Sequence, residues 1–599
     1  MRLPLLLVVL RLVGALVLRT SFGPDEQWQS LEVAHRWAFG YGHLTWEWER
    51  CVALRGVLHP ALFAAFYTAL RAFGADAAWL VAYGPRMLQG LAAAAADLAV
   101  YRTAEEAFGA EVALWSLAAQ LGSWFLFYCM PRTFSNSLEA VLMALALQSW
   151  LRRGAPARRT ALLLGSLCVA LRPTAGLFWL ALALHEVTAI LTWPGPPLSA
   201  RVGRAWSALV APGLLISVMV LTASSLMDFV WYESFTFVPW NHFRFNLLRD
   251  QAIFYGSHPW HWYLTEGLAV TLGTFLPFVL AGAWFAARGL GKCRALRGPV
   301  AAASAAIAAL SLASHKEYRF LLPYLPLASL LAGTGLARAV QRLSARPRLR
   351  WAVLALVFLP QALAMAFFAR VHQRGADAVL GHLRARAPGP RGAFFLTACH
   401  ATPLHSYLHR DVPLGYLDCS PGQGSPRDRL FRSPLPVLRD LFPRALHPEA
   451  PPGAAAGVAD GGAGSPADPC LAARYDLPAL ELPEVFVVWG GLLVEEPSVA
   501  VWLANNSFSL EFYASDGYFS EGPYGMDTNP HFLVYRLSGT PQKPHHPPSS
   551  MSVLPLLAPS RNRLRVPSRV HRQLHLHLLR HDQALESGVP PPDDDQPPL

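Results

Sequence analysis

The chain has 599 residues, of which 53% are hydrophobic and only 15% are charged. Soluble domains carry about 25% charged residues, so this composition excludes a large soluble enzyme and indicates an integral membrane protein. The formal net charge is +11 at pH 7, but the arginines lie in short clusters between apolar runs. That arrangement follows the positive-inside rule and predicts an orientation in the membrane rather than a nucleic-acid partner.

An apolar run at residues 3–18 opens the chain and is interrupted by Arg11. A secretory signal peptide has a similar pattern. However, no small-residue cleavage site precedes Ser21, and the run approaches the roughly 20 residues that a membrane span requires. We therefore expect an uncleaved first transmembrane helix.

Two carboxylates, Asp25 and Glu26, follow this helix. Pro24 before them favours a turn, and residues 27–39 carry apolar side chains at helical spacing, which predicts an amphipathic interfacial helix. Two interpretations stay open from these residues alone. Either Asp25 caps the helix, or the acidic pair faces a polar site, because carboxylates at a membrane boundary are otherwise costly.

Apolar segments recur along the chain to about residue 370. The one at 57–72 is short, and we interpret it as an interfacial or re-entrant helix. Without it, the arginine clusters fall in alternate loops, as the positive-inside rule requires. Together with the first helix, the longer segments predict about eleven transmembrane helices. These segments are 78–101, 111–129, 137–151, 160–172, 174–193, 205–225, 264–287, 298–314, 319–337 and 351–369.

The pattern changes beyond residue 370. Residues 393–397 and 485–489 are typical of buried strands, whereas 420–470 is rich in Gly, Pro and Ala and predicts a mobile loop. Asn505 opens an Asn-Asn-Ser triplet, which is a glycosylation acceptor. The predicted parts are a membrane domain at 1–370, a lumenal domain of mixed α/β structure at 371–540 and a disordered Pro/His-rich tail at 541–599.

Seven cysteines are scattered along the chain without a CxxC pair. This spacing indicates neither a zinc site nor a redox motif. Cys51, Cys399, Cys419 and Cys470 lie in segments on the predicted non-cytosolic side, so the sequence is compatible with one or two disulfides. Their pairing stays open.

Polar residues concentrate in the loops on that same side. Arginine and lysine suit a phosphate group, and carboxylates suit proton transfer, although each group also has a structural interpretation as an ion pair or a snorkelling side chain. A metal site is not favoured, because no HExxH motif or tight carboxylate cluster accompanies the histidines. We predict one cavity, with Asp25 and Glu26 on a wall. The other candidate lining residues are Arg172, His258, His261, His315, Lys316, Glu317 and Arg319.

Two motifs carry a resemblance to a known family. The PDE triplet at 24–26 and the HKEYRF segment at 315–320 are similar to the signature of the dolichol-phosphate-mannose-dependent mannosyltransferases of the GT-C superfold, glycosyltransferase family 22. Further segments resemble the branch that adds the third mannose to glycosylphosphatidylinositol (GPI) anchors: 28–33, 41–48, 254–263 and 371–375. The resemblance covers about residues 1–540, and the segment before Asp25 is short for the family, which leaves room for a cytosolic leader.

This resemblance implies a mostly helical, polytopic GT-C fold in the endoplasmic reticulum membrane, with a lumenal active site. It implies transfer of mannose from dolichyl phosphate mannose to the 2-hydroxyl of the second mannose of the GPI precursor, with inversion to an α-1,2 link. Asp25 is then the candidate base, and Glu26 orients the acceptor or shares that role. The cations stabilise the leaving phosphate. No divalent metal or other cofactor is expected, and no protein partner is identified.

Other functions stay open at this point. Within the family, the chain could act on the N-glycan precursor or add a fourth GPI mannose. A polytopic transporter would carry its charges near the membrane midplane on broken helices, whereas here they lie at one boundary. A non-catalytic scaffold of GPI assembly would tolerate the loss of Asp25.

Overall fold

The computed structural model describes residues 2–152, 154–386, 389–397, 400–421, 425–446, 479–516 and 531–537. Helices dominate the part up to residue 385, as the apolar pattern predicts. The α-helices of this part are α1 (Arg2–Val17), α2 (Glu32–Phe39), α3 (Leu58–Ala72), α4 (Ala78–Phe108), α5 (Ala110–Gly122), α6 (Trp124–Cys129), α7 (Ser135–Leu151), α8 (Ala155–Leu171), α9 (Ala175–Leu191), α10 (Leu198–Ala205), α11 (Ala211–Tyr232), α12 (Val238–Phe243), α13 (Leu268–Leu272), α14 (Leu276–Ala287), α15 (Arg297–Ser311), α16 (Leu325–Arg342), α17 (Pro347–Arg370) and α18 (Gly375–Ala385). Short π and 3-10 turns adjoin them at Gln27–Leu31, Trp46–Trp48, Trp206–Val210, Arg244–Leu248, Gln251–Tyr255, Tyr263–Gly267, Gly273–Phe275, Gly291–Leu296 and Tyr318–Tyr324.

Each predicted transmembrane segment lies on an observed helix, and the short segment at 57–72 forms α3. The segment at 111–129 is divided into α5 and α6, because Ser123 caps α6 by accepting from the Leu126 N–H at 3.4 Å. Among the described residues, four helical stretches are long and apolar enough to cross a bilayer. They are Leu198–Tyr232, Tyr263–Ala287, Tyr318–Arg342 and Pro347–Ala385. The total of about eleven spans stays a prediction.

The stretch Tyr318–Arg342 lies at the centre of the bundle, with 94% of its apolar window buried, against 11% in Leu198–Tyr232. Glycines on α16 allow this extensive burial, because they let the backbones of neighbouring helices come close. A Cβ on Gly333 would overlap a serine hydroxyl on α5, and one on Gly335 would lie 2.5 Å from a carbonyl oxygen on α14. Leu198–Tyr232 instead exposes its apolar side chains, as a lipid-facing helix does.

Arg11, which interrupts the first apolar run, is buried and paired. Its guanidinium donates to both carboxylate oxygens of Asp97 on α4, at 2.6 and 2.7 Å, and Gln120 on α5 donates to the same carboxylate at 3.1 Å. A bidentate pair with an additional donor satisfies charges that would be very costly alone in an apolar bundle. The pair therefore ties α1 to α4 and α5.

We expect Asp97→Leu to lower the free energy of unfolding by about 4 kcal/mol, because it leaves the Arg11 guanidinium buried without its counter-charge. The double variant Arg11→Leu/Asp97→Leu should recover most of this loss, since both charges are then removed. Denaturant unfolding in detergent measures both variants against the wild type. A single variant as stable as the double one would contradict this role for the pair.

The C-terminal region, by which we mean the described residues from 375 to 537, contains a five-stranded mixed sheet. The strands lie in the order β2-β1-β3-β5-β4. β1 pairs in parallel with β2 and β3, and β5 pairs antiparallel with β3 and β4. They are β1 (Ala393–Leu396), β2 (Leu414–Tyr416), β3 (Val485–Trp489), β4 (Phe508–Ser515) and β5 (His531–Leu537). The two predicted strands, β1 and β3, are confirmed, and the sequence analysis did not predict the other three.

Side chains of β1 alternate between two cores, one on each face of the sheet. Phe395 packs in a cluster that includes Trp28 and Tyr83 of the membrane part. Phe394 packs in the other cluster with Trp502. One face of the sheet therefore rests on the helices of the membrane part, and the other is covered by helices of the C-terminal region. These helices include α20 (Pro426–Arg432), α21 (Pro434–Leu441) and the helix Ser498–Asn505. A further short helix, α19 (His405–Leu408), follows β1 in the chain.

The prediction of a mobile loop at 420–470 is wrong for residues 426–441, which form α20 and α21. Their apolar side chains, such as Leu438, cover the sheet, and Pro and Gly frequency alone does not show this. Residues 447–478 and the tail at 541–599 lie outside the described residues. Asn505 is the exposed last residue of its helix, and its glycosylation stays a prediction.

Cys51 and Cys419 are each disulfide-bonded. Both belong to the set that the sequence analysis placed on the non-cytosolic side, and the other two members, Cys399 and Cys470, lie outside the described residues. The free cysteines of the described part, Cys129, Cys168 and Cys293, are all buried.

Candidate active site

The acidic turn is fixed just beyond α1. The Ser21 N–H donates to a carbonyl oxygen in the segment after α17 at 2.7 Å, and the Ser21 carbonyl accepts from the Tyr128 hydroxyl at 2.8 Å. Asp25 and Glu26 then form the first turn of a helix that continues through the π turn Gln27–Leu31 into α2. The predicted turn and the predicted helix after it are both confirmed, and a π turn of this kind often marks a functional site.

The two carboxylates of this turn have different surroundings. The Asp25 carboxylate lies 2.6 Å from the Arg319 guanidinium, its side chain is 26% exposed, and it lines a cavity of about 750 Å³. The Glu26 side chain is fully buried and accepts from Arg86 at 2.9 Å and Arg132 at 2.7 Å. Burial raises the pKa of the Glu26 carboxyl, but the two arginines outweigh burial and hold that pKa below its ordinary value.

These surroundings separate the roles that the sequence analysis gave to the pair. Asp25 is accessible to a ligand, and its carboxylate binds a cation instead of serving only as a helix cap. Glu26 does not line the cavity. Its predicted position on the cavity wall therefore does not match the structure, in which Glu26 anchors the turn between α4 and the chain after α6. Its role toward an acceptor stays a prediction.

The HKEYRF segment forms the wall that faces Asp25. Arg319 pairs with Asp25 and Glu317 at once, and the His315 Nε2 lies 3.0 Å from Glu317 Oε1. Burial raises the pKa of the Glu317 carboxyl, but Arg319 and His315 outweigh burial and hold that pKa well below its ordinary value. Burial lowers the pKa of His315, but Glu317 outweighs it, so the net pKa is raised. The cavity wall is thus a chain of alternating charges.

The pair of His315 and Glu317 makes stability depend on pH. A raised His pKa contributes stability that is fully present below the unfolded pKa of about 6.5 and is lost as pH rises through the folded value. Glu317 stays ionised throughout this window. We expect the melting temperature of the wild type to exceed that of His315→Gln by the most below about pH 6.5, and this difference to shrink as the pH rises above that value. Thermal scans in detergent test this, and a difference that does not change with pH would contradict it.

Lys316 and His258 also line the cavity. The Lys316 ammonium donates to the His258 carbonyl oxygen at 2.9 Å and to a second backbone carbonyl, and the His258 ring stacks on Trp262 at 4.6 Å. His261 is exposed, with its Nδ1 3.3 Å from a threonine hydroxyl, and it is not part of the cavity wall. His261 therefore does not match the prediction that it lines the site.

Several cavity residues were not predicted from the sequence, among them Gln29, Glu47 and Arg55. Glu47 accepts from Arg55 at 2.9 and 2.6 Å, and both of its oxygens lie 3.3 Å from the Gln29 amide nitrogen. All three line the cavity. The available signal was the position of Gln29, four residues beyond Asp25 on one helix, which places both side chains on a similar face.

A smaller cavity adjoins the large one and extends between the helices α3, α8 and α11. It is lined by His59, Asp228 and serines of α11. Both cavities share the residues Gln29, Arg55, Arg172 and His242. Arg172 is held there by the Ser135 hydroxyl at 3.0 Å and by Glu139 at 3.3 Å. Two arginines thus lie at the junction of a polar cavity with a pocket among helices.

The structure therefore brings Asp25, Arg172, His258, His315, Lys316, Glu317 and Arg319 to one cavity, and leaves Glu26 and His261 off its wall. Within the described ranges, no cluster of three or more His, Cys, Asp or Glu side chains could hold a metal ion. A metal-independent reaction and the individual roles of these side chains stay predictions.

A solved structure shares the fold of this chain. The crystal structure of ArnT from Cupriavidus metallidurans, bound to undecaprenyl phosphate, matches 91% of this chain and 98% of ArnT, with a TM-score of 0.56 and 13% identity. A match of this length at such low identity shows a shared fold. The fold is that of the GT-C glycosyltransferases, as the sequence analysis predicts.

The chain belongs to the Alg9-like mannosyltransferase family, whose sequence model matches residues 3–409. Mannosyltransferase APTG1 of Arabidopsis thaliana is 36% identical over 477 residues, which cover 74% of this chain and 82% of that protein. GPI alpha-1,2-mannosyltransferase 3 of Danio rerio is 36% identical over 450 residues, which cover 73% of this chain and 79% of that protein. The predicted family is confirmed, and an enzyme is favoured over a transporter.

Proposed function

We propose that this chain adds the third mannose to the GPI precursor, taking it from dolichyl phosphate mannose and forming an α-1,2 link. The relatives named GPI alpha-1,2-mannosyltransferase 3, from Danio rerio and other animals, support this acceptor and this linkage. The structural observation that carries the proposal is the position of Asp25. Its carboxylate lies on the cavity wall, held 2.6 Å from Arg319, where a base for the acceptor hydroxyl is needed.

The transfer is a single in-line displacement. Asp25 accepts the proton of the acceptor 2-hydroxyl while that oxygen forms a bond to the anomeric carbon of the donor mannose. The bond from this carbon to the phosphate oxygen breaks, and its electron pair leaves with dolichyl phosphate. Attack opposite the β-linked phosphate gives the α product, so configuration inverts. Phosphate is a good leaving group, so this step requires no general acid.

The junction of the two cavities suits the donor phosphate. Arg55 and Arg172 lie there, and guanidinium groups bind phosphate oxygens and stabilise the charge that develops as the bond breaks. The smaller cavity continues from this point among the helices α3, α8 and α11. Arg319, together with Glu317 and His315, orients Asp25 from the opposite wall.

The orientation of the protein follows from its charges and cysteines. The loops that form the cavity carry few of the arginine clusters, which predicts that the cavity opens away from the cytosol. Cys51 and Cys419 are disulfide-bonded, and disulfides persist in oxidising compartments such as the lumen of the endoplasmic reticulum. Both observations support a multi-pass protein with a lumenal active site.

Lipid analysis of knock-out cells tests this function directly. We expect the cells to accumulate a GPI precursor with two mannoses, and expression of this chain to restore the precursor with three. Mass spectrometry of the lipid-linked glycans measures both. A truncated N-glycan precursor would contradict the proposal and identify the dolichol-linked oligosaccharide as the acceptor pathway. A precursor stopped at three mannoses would identify addition of the fourth.

We also propose that the transfer uses no divalent metal, because arginine side chains at the cavity junction supply the positive charge that a phosphate leaving group requires. Purified protein should retain its transfer rate, within about twofold, after chelation with EDTA. Transfer of radiolabelled mannose measures this. A loss that added magnesium or manganese restores would contradict the proposal.

A further inference from the structure

A segment of the C-terminal region docks onto the helix that starts at Asp25. Glu32 of α2 is fully buried. Its Oε1 accepts from the Leu404 N–H at 2.6 Å, from the Ser406 N–H at 3.1 Å and from the Ser406 hydroxyl at 2.7 Å. Three donors of one segment thus converge on one oxygen of a side chain seven residues beyond Asp25.

Contacts on either side of Glu32 extend this docking along one face of the helix. The Trp28 indole N–H donates to the Thr402 carbonyl oxygen at 3.0 Å, and the His35 Nε2 lies 3.0 Å from the His409 Nδ1. Residues 28, 32 and 35 are three to four positions apart and therefore share a helix face. The partner residues 402–409 follow in the same order.

The chain just before the docked segment reaches the active-site cavity. His400 lines that cavity, and its ring lies 4.8 Å from the Trp28 ring and 5.7 Å from the Tyr416 ring. Its backbone has a φ of 52°. Residues other than glycine seldom adopt this left-handed conformation, so the surrounding structure must hold it. The position of this cavity wall therefore depends on the contacts that fix residues 402–409.

We propose that Glu32 is a positioning residue for mannose transfer: it clamps residues 402–406 onto the Asp25 helix and so places His400 on the wall that receives the acceptor glycan. The inference rests on the proposed function, since its effect is on transfer. The clamp needs an acceptor oxygen and not a charge. The Glu32 Oε2 has no hydrogen-bond partner among the described residues, and burial, as the largest cause, raises the pKa of this carboxyl.

Paired variants separate this role from general stability. Glu32→Gln keeps an acceptor oxygen at the clamp and should transfer mannose within about twofold of the wild type. Glu32→Ala leaves the donors of Leu404 and Ser406 unpaired and should lower kcat/KM for the acceptor by about 10²-fold, with KM for the donor unchanged. Rates are measured per folded molecule, from the monodisperse fraction in detergent.

A double-mutant cycle tests whether the effect passes through the docked segment. His400→Ala alone should lower kcat/KM for the acceptor by at least as much as Glu32→Ala, about 10²-fold, because Glu32 acts through this side chain. If Glu32 acts by placing His400, then Glu32→Ala/His400→Ala should be no slower than His400→Ala. Additive losses would overturn the proposal, and so would a Glu32→Gln variant as slow as Glu32→Ala.

Hydrogen exchange reports on the clamp without any enzymatic readout. The Leu404 and Ser406 amides should exchange faster in Glu32→Ala but not in Glu32→Gln, because only the first variant removes their acceptor. Glu106→Gln, which alters an exposed pair with Arg152, is the matched control and should leave these amides unchanged. Unchanged exchange in Glu32→Ala would overturn the clamp. A wild type that transfers no mannose would instead overturn the proposed function.

Discussion

Asp25→Asn is expected to lower kcat for mannose transfer by about 10³-fold, because the amide cannot accept the proton of the acceptor hydroxyl. The substitution keeps the size of the side chain and an oxygen that accepts from Arg319, so the cavity wall should stay in place. KM for both substrates should change little, since binding and proton transfer use different atoms. Single-turnover transfer from labelled dolichyl phosphate mannose measures the chemical step.

The neighbouring carboxylate, Glu26, provides a comparison variant for Asp25→Asn. Glu26→Gln weakens a buried pair with Arg86 and Arg132 and should act through stability, with a lower melting temperature and a normal rate per folded molecule. GPI-anchored proteins at the surface of complemented knock-out cells offer a cellular readout for both variants. Near-normal transfer by Asp25→Asn would remove the assignment of Asp25 as the base.

Arg319→Ala should lower kcat by about 10²-fold, because it removes the group that holds Asp25 and Glu317 in one arrangement. Asp25 then loses the partner at 2.6 Å that fixes its carboxylate. Arg319→Lys should recover only part of the loss, since an ammonium is a single point charge and cannot form the planar, forked contact of a guanidinium. Steady-state kinetics with both substrates varied give kcat and KM separately.

Arg374→Ala is the matched control for the loss of one positive charge in Arg319→Ala. It also removes one arginine, close to the segment that holds the acidic turn, but Arg374 does not line the cavity, so kcat should stay within about twofold. The contrary result, in which Arg319→Ala raises only KM for the donor, would assign Arg319 to phosphate binding and not to the orientation of Asp25.

The sequence predicted most of the helical framework, because long apolar runs have few alternatives in a membrane. It also predicted that the acidic turn and the HKEYRF segment meet, since opposite charges on one side of a membrane are costly unless they pair. β1 and β3 were predictable because their continuous apolar runs mark strands buried on both faces. β4 carries polar residues between its apolar ones, so it shows no such run. β5 does contain an apolar run at 532–535, which was not identified as a strand from the sequence.

The remaining features depend on contacts between residues far apart in the chain. Glu26 and Asp25 are neighbours with the same chemistry, and only the positions of Arg86 and Arg132 decide which one is buried. Arg11 interrupts an apolar run in the sequence, and its partner Asp97 lies 86 residues further along the chain, on α4. His261 and His258 are three residues apart, yet only His258 lines the cavity, because a helical turn begins between them.

The turn Gln27–Leu31 winds with one residue more than an α-helical turn. Each residue of an α-helix advances the chain by about 100° around its axis. The wider turn takes up this additional residue, so the residues on either side of it keep nearly the angular relation of a continuous α-helix. Asp25 therefore faces the cavity while Glu32, beyond the turn, keeps its contacts with Leu404 and Ser406.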